Sequence, residues 1–327
     1  MEDGAGSMLR VRVPAKINLH LAVGSRRADG YHDVVTVLQT VSLYDTLRLQ
    51  LDGDAHAAHP SSRRRMRASL TVDADGQTVG VPADASNLVL VAARSLMDHL
   101  GIATGVPAEE GESGPWSRMH LTKRIPVAAG MAGGSADAAA ALVGLNRLWG
   151  ADLDVAELCA IAATVGSDVP FCVAGGTGLA TGTGTSVARV LTRGTTHWVV
   201  GIDRAPLSTA DVYAAFDRLE PPVPTTPDQL LHILRGGDLE ALAGALHNEL
   251  EPAAIALRPE LAGRRDAMLR AGALAAIVSG SGPTLLGLAR DALHARRLAA
   301  ALEPHFDAVE VASSPAGGPE ILAGRAA

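Results

Sequence analysis

Aromatic side chains are scarce in this 327-residue chain: three Trp, three Tyr and three Phe make up 3% of it. With 47% of residues hydrophobic, the core has to be built from Ala, Val and Leu, and such small side chains favour helices packed closely on a sheet. Cysteine is nearly absent. Cys159 and Cys172 form no metal-spaced pair and lie in apolar surroundings, so buried thiols are expected rather than a disulfide framework or a zinc site. No window reaches about 18 consecutive apolar residues, which excludes a helical membrane span from the reading. Positive charge is also in short supply, with 28 Lys and Arg against 35 Asp and Glu and a net charge of −7. A nucleic-acid or anionic-membrane partner needs concentrated basic charge, so neither is expected. The run Arg63-Arg64-Arg65-Met66-Arg67 is a local exception, in a Ser-, His- and Ala-rich stretch (residues 54–68) that reads as a solvated loop. His56 and His59 in that stretch have no further ligands nearby and are not read as a metal pair. The first residues lack a basic start followed by an apolar run, so no signal peptide is expected and a cytoplasmic location is.

Hydrophobic spacing divides the rest into elements. Residues 8–13 alternate as a half-buried strand that stops at Pro14, residues 17–23 alternate again, and residues 34–51 are β-branched and strand-like. A short strand is expected at 70–72, a helix at 87–100 ending at Gly101, and a Gly-, Pro- and Glu-rich loop at 104–118. A strand at 119–125 leads into a helix at 135–149. A second helix at 154–165 carries the capping-box pair Asp154 and Glu157, with Gly166 placed to close it. After Gly175 the chain is strand-like to Val190, and a buried strand is expected at 197–202. Helices at 210–219, 228–257, 259–271 and 293–302 then alternate with strands at 275–278, 285–288 and 308–311. The length and this pattern predict two α+β domains, residues 1–180 and 181–327.

Four segments carry chemistry. In Lys123-Arg-Ile-Pro-Val-Ala-Ala-Gly130-Met-Ala-Gly133-Gly134-Ser135-Ala-Asp137, a strand end enters a glycine-rich turn that enters an alanine-rich helix. Glycines expose main-chain amides, and a helix N-terminus aims unpaired N–H groups and a positive dipole end at the same spot. Phosphate oxygens suit such a place, although an ordinary close-packed turn reads the same way. The pattern is neither Gly-x-x-x-x-Gly-Lys-Ser/Thr nor Gly-x-Gly-x-x-Gly. In Pro14-Ala-Lys16-Ile-Asn18, Lys16 and Asn18 project from one face of an extended chain, though a surface lysine serves as well. In Gly166-Ser-Asp168-Val-Pro170-Phe171 an acid sits between a helix end and an apolar strand, in catalysis or in turn hydrogen bonds alone. Ser279-Gly280-Ser281-Gly282-Pro283-Thr284 is a second small-residue turn, equally able to be a tight bend.

In this order, from about Val11 to Leu288, the four segments resemble those of the GHMP kinase superfamily (galactokinase, homoserine kinase, mevalonate kinase and relatives). The resemblance implies an α+β, two-domain fold: an N-terminal domain like ribosomal protein S5 domain 2 and a C-terminal ferredoxin-like α/β domain. The segments Arg27-Ala-Asp-Gly30-Tyr31-His32, Gly130–Asp137 and Gly166–Phe171 are similar to those of members that use ATP to phosphorylate the 2-hydroxyl of a cytidine-diphosphate-linked methylerythritol. That small-molecule substrate, ATP as donor and Mg2+ are therefore implied, in the non-mevalonate route to isoprenoid precursors. Carried over by motif, Asp168 and Lys16 are the catalytic pair. Pro126, Val127, Ala128, Ala129, Gly130, Met131, Ala132, Gly133, Gly134, Ser135 and Ala136 form the phosphate loop, and Asn87 and Lys123 line the adenosine site. Asn18, Tyr31, His32, Thr209 and Tyr213 hold the substrate, Tyr31 and Tyr213 by stacking on cytosine. A monomer or weak homodimer is expected.

The loop departs from the family's pattern at Ala132, which replaces a glycine, and at Ala136, which replaces a serine. Ala132 is tolerated if its φ stays negative, and the lost hydroxyl puts one metal contact in doubt. Homoserine and mevalonate kinases are the nearest alternatives, and Tyr31-His32 argues against them, since those substrates have no base. A non-catalytic ligand sensor is the rival of another class, and a sensor needs neither Lys16 nor Asp168. A dinucleotide-binding dehydrogenase fails because no early βαβ unit precedes the glycine turn.

Overall fold

The computed structural model describes residues 8–52, 67–73, 81–102, 116–219 and 225–322. Pro14 does not end the first strand. β1 (Met8–Arg26) runs through it and pairs antiparallel with β2 (His32–Asp52) along nearly its whole length. The register shifts between Pro14 and Ala15, an irregularity that suits a residue with no N–H to donate. β3 (Arg67–Asp73) lies parallel to β4 (Trp116–Thr122), which pairs with β2. Residues 67–68 and 116–118, expected as loop, are therefore strand. The remainder of the 54–68 and 104–118 segments, with His56, His59 and Arg63 to Arg65, lies outside the described residues.

α1 (Leu88–His99), α2 (Gly133–Leu148), α3 (Val155–Val165) and α4 (Val169–Ala174) cover this sheet. Small side chains let α2 lie close: a Cβ on Gly144 would come within 2.7 Å of Leu49. α3 carries the expected reciprocal capping box of Asp154 and Glu157. Residues 169–174, expected as a strand, are helical. Pro170 sits in the first turn, where its fixed φ suits a helix and its missing N–H costs nothing. β5 (Thr177–Gly182) pairs with β2 and with β6 (Ser186–Arg189), so the boundary expected between residues 180 and 181 falls inside β5.

The second sheet contains β7 (Thr196–Ile202), β9 (Ala275–Val278), β10 (Leu285–Ala289) and β11 (Ala308–Ser314) in the antiparallel order β11-β7-β10-β9. Between β7 and β9 come α5 (Thr209–Phe216), α6 (Asp228–Gly236), α7 (Leu239–Ala245), the two-residue β8 (His247–Asn248), α8 (Glu251–Leu257) and α9 (Glu260–Arg270). α10 (Ala292–Leu302) links β10 to β11. Strand, helices, two strands, helix, strand is the split βαβ arrangement of ferredoxin-like domains. Along β7, Trp198, Val200 and Ile202 join one apolar cluster and Val199 the other. Cover on both faces explains its unbroken apolar run. β12 (Glu320–Leu322) returns to pair with β1, and β8 lies parallel to β1 on the same edge, tying the two sheets together. Among the described residues no helix is long and apolar enough to cross a membrane.

Candidate functional site

The two glycine turns, 149 residues apart in sequence, meet. Gly130 has φ +76°, and a Cβ on it would collide with the Ser279 carbonyl, so only glycine fits. Ser279 Oγ donates to the Gly130 carbonyl at 3.2 Å, and Asn248 Nδ2 donates to the carbonyls of Val278 and Gly280, each at 2.8 Å. β1 supplies the third wall. The Lys16 N–H donates to the Met131 carbonyl at 3.2 Å, docking the first turn on the strand edge left free between β12 and β8.

Lys16 is buried, and its Nζ donates to Asn18 Oδ1 at 2.9 Å and to the Gly130 carbonyl at 3.3 Å. The first of these contacts is the shared face expected of residues two apart. Thr36 accepts from Asn18 Nδ2 at 2.8 Å and donates to the His20 carbonyl at 2.6 Å, which turns the Asn18 amide oxygen toward Lys16. Asp168 arrives from the turn between α3 and α4. Its Oδ2 lies 3.7 Å from Lys16 Nζ, its side chain is 36% exposed, and although it is the N-cap of α4 it makes no capping bond. A carboxylate beside an ammonium, with lone pairs still free toward solvent, is placed to accept a proton.

The loop between β4 and α2 runs through left-handed backbone at Ala128 (φ +50°), Gly130 and Ala132 (φ +54°). The expected negative φ at Ala132 is not found: the residue keeps the conformation for which glycine is suited and carries its strain. Met131 and Ala136 have side chains in the core rather than in the cleft. Lys123 meets two carboxylates, Asp45 and Asp137, with Asp137 Oδ2 at 2.7 Å. A Cβ on Gly133 would sit 3.1 Å from Lys123 Nζ, so this ammonium lies directly under the first turn of α2. Burial opposes its charge, but Asp137 and Asp45 together outweigh that and hold its pKa up. Burial also raises Asp137, against the pull of Lys123. Asn87 caps α1 by accepting from the Val89 N–H at 2.9 Å, and its amide donates to the Pro82 carbonyl.

At the far end the His32 ring packs 5.0 Å from Tyr213 and edge-on to Phe216 at 6.2 Å, and its Nε2 lies 2.7 Å from Asp217 Oδ1. Burial, with the Asp168 charge adding to it, pushes the Tyr213 phenol up to about 12. Tyr213 is therefore neutral near neutral pH and its ring is available as a stacking surface. Tyr31 is 64% exposed at the rim, and Thr209 Oγ1 lies 3.0 Å from Ser281 Oγ of the second glycine turn. One cleft of about 820 Å³ joins these groups, and every site residue named from the motifs lines it except Met131 and Ala136.

Residues 87–176 match the family described as GHMP kinases N terminal domain, and residues 230–308 match GHMP kinases C terminal. The 4-diphosphocytidyl-2-C-methyl-D-erythritol kinase of Salinispora tropica is 48% identical over 91% of this chain and 89% of its own. The chain belongs to the GHMP kinase family. The enzyme of the same description from Thermobifida fusca is 46% identical over 91% of this chain and 92% of its own. Among solved structures, a 4-(cytidine 5'-diphospho)-2C-methyl-D-erythritol kinase superposes with a TM-score of 0.72 at 30% identity, covering 94% of this chain and all of that one. A homoserine kinase from Cytophaga hutchinsonii gives 0.70 at 20% identity over 96% of this chain and 97% of its own, which shows the shared GHMP fold alone.

Motif reading missed the side chains that hold this kinase site in place: Thr36 behind Asn18, Asp217 behind His32, Asn248 behind the second glycine turn, and the acids around Lys123. One of these had a signal. Asp45 falls in step with Val41, Leu47 and Leu49 on the buried face of β2, where an acid demands a buried cation. Asp137 closes the glycine-loop motif itself, but that motif gives it no role; Thr36, Asp217 and Asn248 lie on other elements than what they support and carry no pattern of their own.

Proposed function

We propose that the protein transfers the γ-phosphoryl group of ATP to the 2-hydroxyl of 4-diphosphocytidyl-2-C-methyl-D-erythritol, within the non-mevalonate route to isoprenoid precursors. The observation that carries this reading is the Lys16–Asp168 pair, 3.7 Å apart where the two glycine turns meet, in one cleft with the His32–Tyr213 ring cluster. A secondary alcohol hardly ionises at neutral pH, so Asp168 accepts its proton as the oxygen attacks phosphorus. Lys16 holds the carboxylate in place and offers its positive charge to the oxygens in transfer. The α2 N-terminus and the main-chain amides of the loop receive the phosphates. Among the described residues no three His, Cys, Asp or Glu side chains are grouped to hold an ion. That suits Mg2+, which keeps most of its waters and binds largely through nucleotide phosphates, with Ser135 and Asp168 the cleft residues that would meet it and charge neutralisation its contribution. His32 and Tyr213 hold the cytosine ring, with Tyr31 covering it from the rim.

The test is a coupled ADP-release assay offering the cytidine-linked substrate, homoserine and mevalonate side by side. Turnover with the first alone is expected. Turnover with homoserine or mevalonate in its place would return the protein to another branch of the family.

A further inference from the structure

His32 can show a ligand either of two opposite faces. A neutral imidazole has one donor and one acceptor nitrogen, and the partner on one nitrogen decides what the other presents. Here the partner is Asp217, whose Oδ1 lies 2.7 Å from Nε2. A carboxylate only accepts, so Nε2 carries the proton, and in the neutral ring Nδ1 keeps a bare lone pair. Nδ1 has no partner among the described residues and, unlike Nε2 of His20, is not sealed from solvent. The ring cannot turn over freely, being 4% exposed and packed against Tyr213 and the edge of Phe216. Asp217 is the C-cap of α5, and its N–H donates to the Tyr213 carbonyl at 2.9 Å. The stacking ring and the anchor of the imidazole therefore belong to one rigid turn of helix.

We propose that Asp217 is a positioning residue that selects the pyrimidine: by holding His32 in its Nε2–H form it makes Nδ1 an acceptor, which pairs with the exocyclic amine of cytosine and opposes the carbonyl oxygen that uracil carries there. This deepens the proposed function and rests on its placement of the base. Asp217 touches no reacting atom, so its loss acts on substrate affinity and base choice, not on the chemical step.

The experiment compares kcat and KM of wild type, Asp217→Asn, Asp217→Glu and His32→Ala with the cytidine-linked substrate and its uridine-linked analogue. An Asn side chain offers Nε2 either an acceptor oxygen or a donor amide, so it no longer fixes the tautomer as a carboxylate does, and Nδ1 becomes a donor whenever the amide faces Nε2. Asp217→Asn is expected to keep kcat within about twofold, raise KM for the cytidine-linked substrate about 10- to 100-fold, and cut the preference for cytosine over uracil at least tenfold, the range for one mispaired buried hydrogen bond. Asp217→Glu, still acceptor-only, is expected to recover much of the preference. An equal rise in KM for both substrates would mark Asp217 as merely structural and overturn the proposal. If His32→Ala raises KM while Asp217→Asn changes neither KM nor preference, only the role of Asp217 falls. If His32→Ala leaves KM unchanged, the base does not sit at His32, and its placement falls with it. A measurement on unmodified protein stands beside these: the side-chain 15N shifts of His32 should show a protonated Nε2 and a bare Nδ1, and the reverse pattern overturns the inference whatever the variants do.

Discussion

Two lysines line the same cleft, each beside aspartate, and they do opposite things. Lys123 is 2% exposed between Asp45 and Asp137, themselves 0% and 4% exposed, and Asp45 also accepts from the N–H groups of Arg124 and Ile125. Asp45 is fully taken up, whereas Asp137 Oδ1 has no partner and burial holds that carboxyl's pKa up; the triad still fastens the end of β4 and the start of α2 to each other. Lys16 is as deeply placed, but its carboxylate lies 3.7 Å away, a third exposed and without a capping bond. The contrast is one of access: Asp168 is a third exposed, whereas Asp45 and Asp137 are sealed. A carboxylate sealed in the core cannot reach a ligand's proton, whereas one held at the cleft surface beside an ammonium can.

Exchanging the charges separates the two pairs. Asp168→Asn keeps the shape and removes the proposed base, and turnover with the cytidine-linked substrate should fall by roughly 10²–10⁴ while the urea unfolding midpoint stays near that of wild type. Near-normal turnover would leave Asp168 without its role. Lys123→Met leaves two buried acids facing each other, and unfolding free energy should drop by about 3–5 kcal/mol. If that variant unfolded at the wild-type urea midpoint, the triad would not be the fastening described here.

Much of this site could be read from the chain, and the reason lies in what a motif records. Lys16, Asp168, Gly130 and Gly280 sit in short local patterns whose backbone demands show as glycine, proline and small residues, and these stretches come together as the resemblance implies. The fold was legible for the same reason wherever a period was clean, as in the helix after the first glycine turn. Reading failed where a non-local partner overrode a local signal. Pro14 stays inside β1 because β2 runs alongside and adjusts its register. Residues 169–173 are apolar on every side because that short helix is buried up to its last residue, a pattern that a buried strand shares. Asp217 and Thr36 left no trace, since a partner that orients a side chain from a distant element needs only one polar atom at the right place.

His20 extends the contrast to a third buried base. Its ring lies 5.3 Å from that of the half-buried His247, its Nε2 is unpartnered, and only Glu249 favours its charge. Burial first, and then His247, lower its pKa to about 4, whereas the carboxylates of Asp137 and Asp45 raise that of Lys123. The folded form thus resists a proton that the unfolded chain takes up below about 6.5. This contribution is complete above that pH and is lost as pH falls from about 6.5 toward 4, by about 1–3 kcal/mol. Urea midpoints at pH 7.5 and pH 5 should show the drop, and His20→Gln should flatten it. An unchanged slope in that variant would assign the drop to other groups.

The smallest effect concerns backbone rather than charge. Ala132 holds φ +54° at the mouth of α2, where a Cβ costs about 1–2 kcal/mol, and glycine would recover that less about 0.5–1 kcal/mol for its greater freedom when unfolded. Ala132→Gly should therefore stabilise the protein by up to about 1.5 kcal/mol and raise its thermal midpoint slightly. The loop should keep its shape, because the Met131 carbonyl stays bonded to Lys16 and Gly130 stays locked against Ser279. KM for ATP is then expected to change little. A loss of stability would mean that the methyl group, packed at the edge of the core, contributes more than its backbone strain removes, and that this end of the cleft is held by side chains after all.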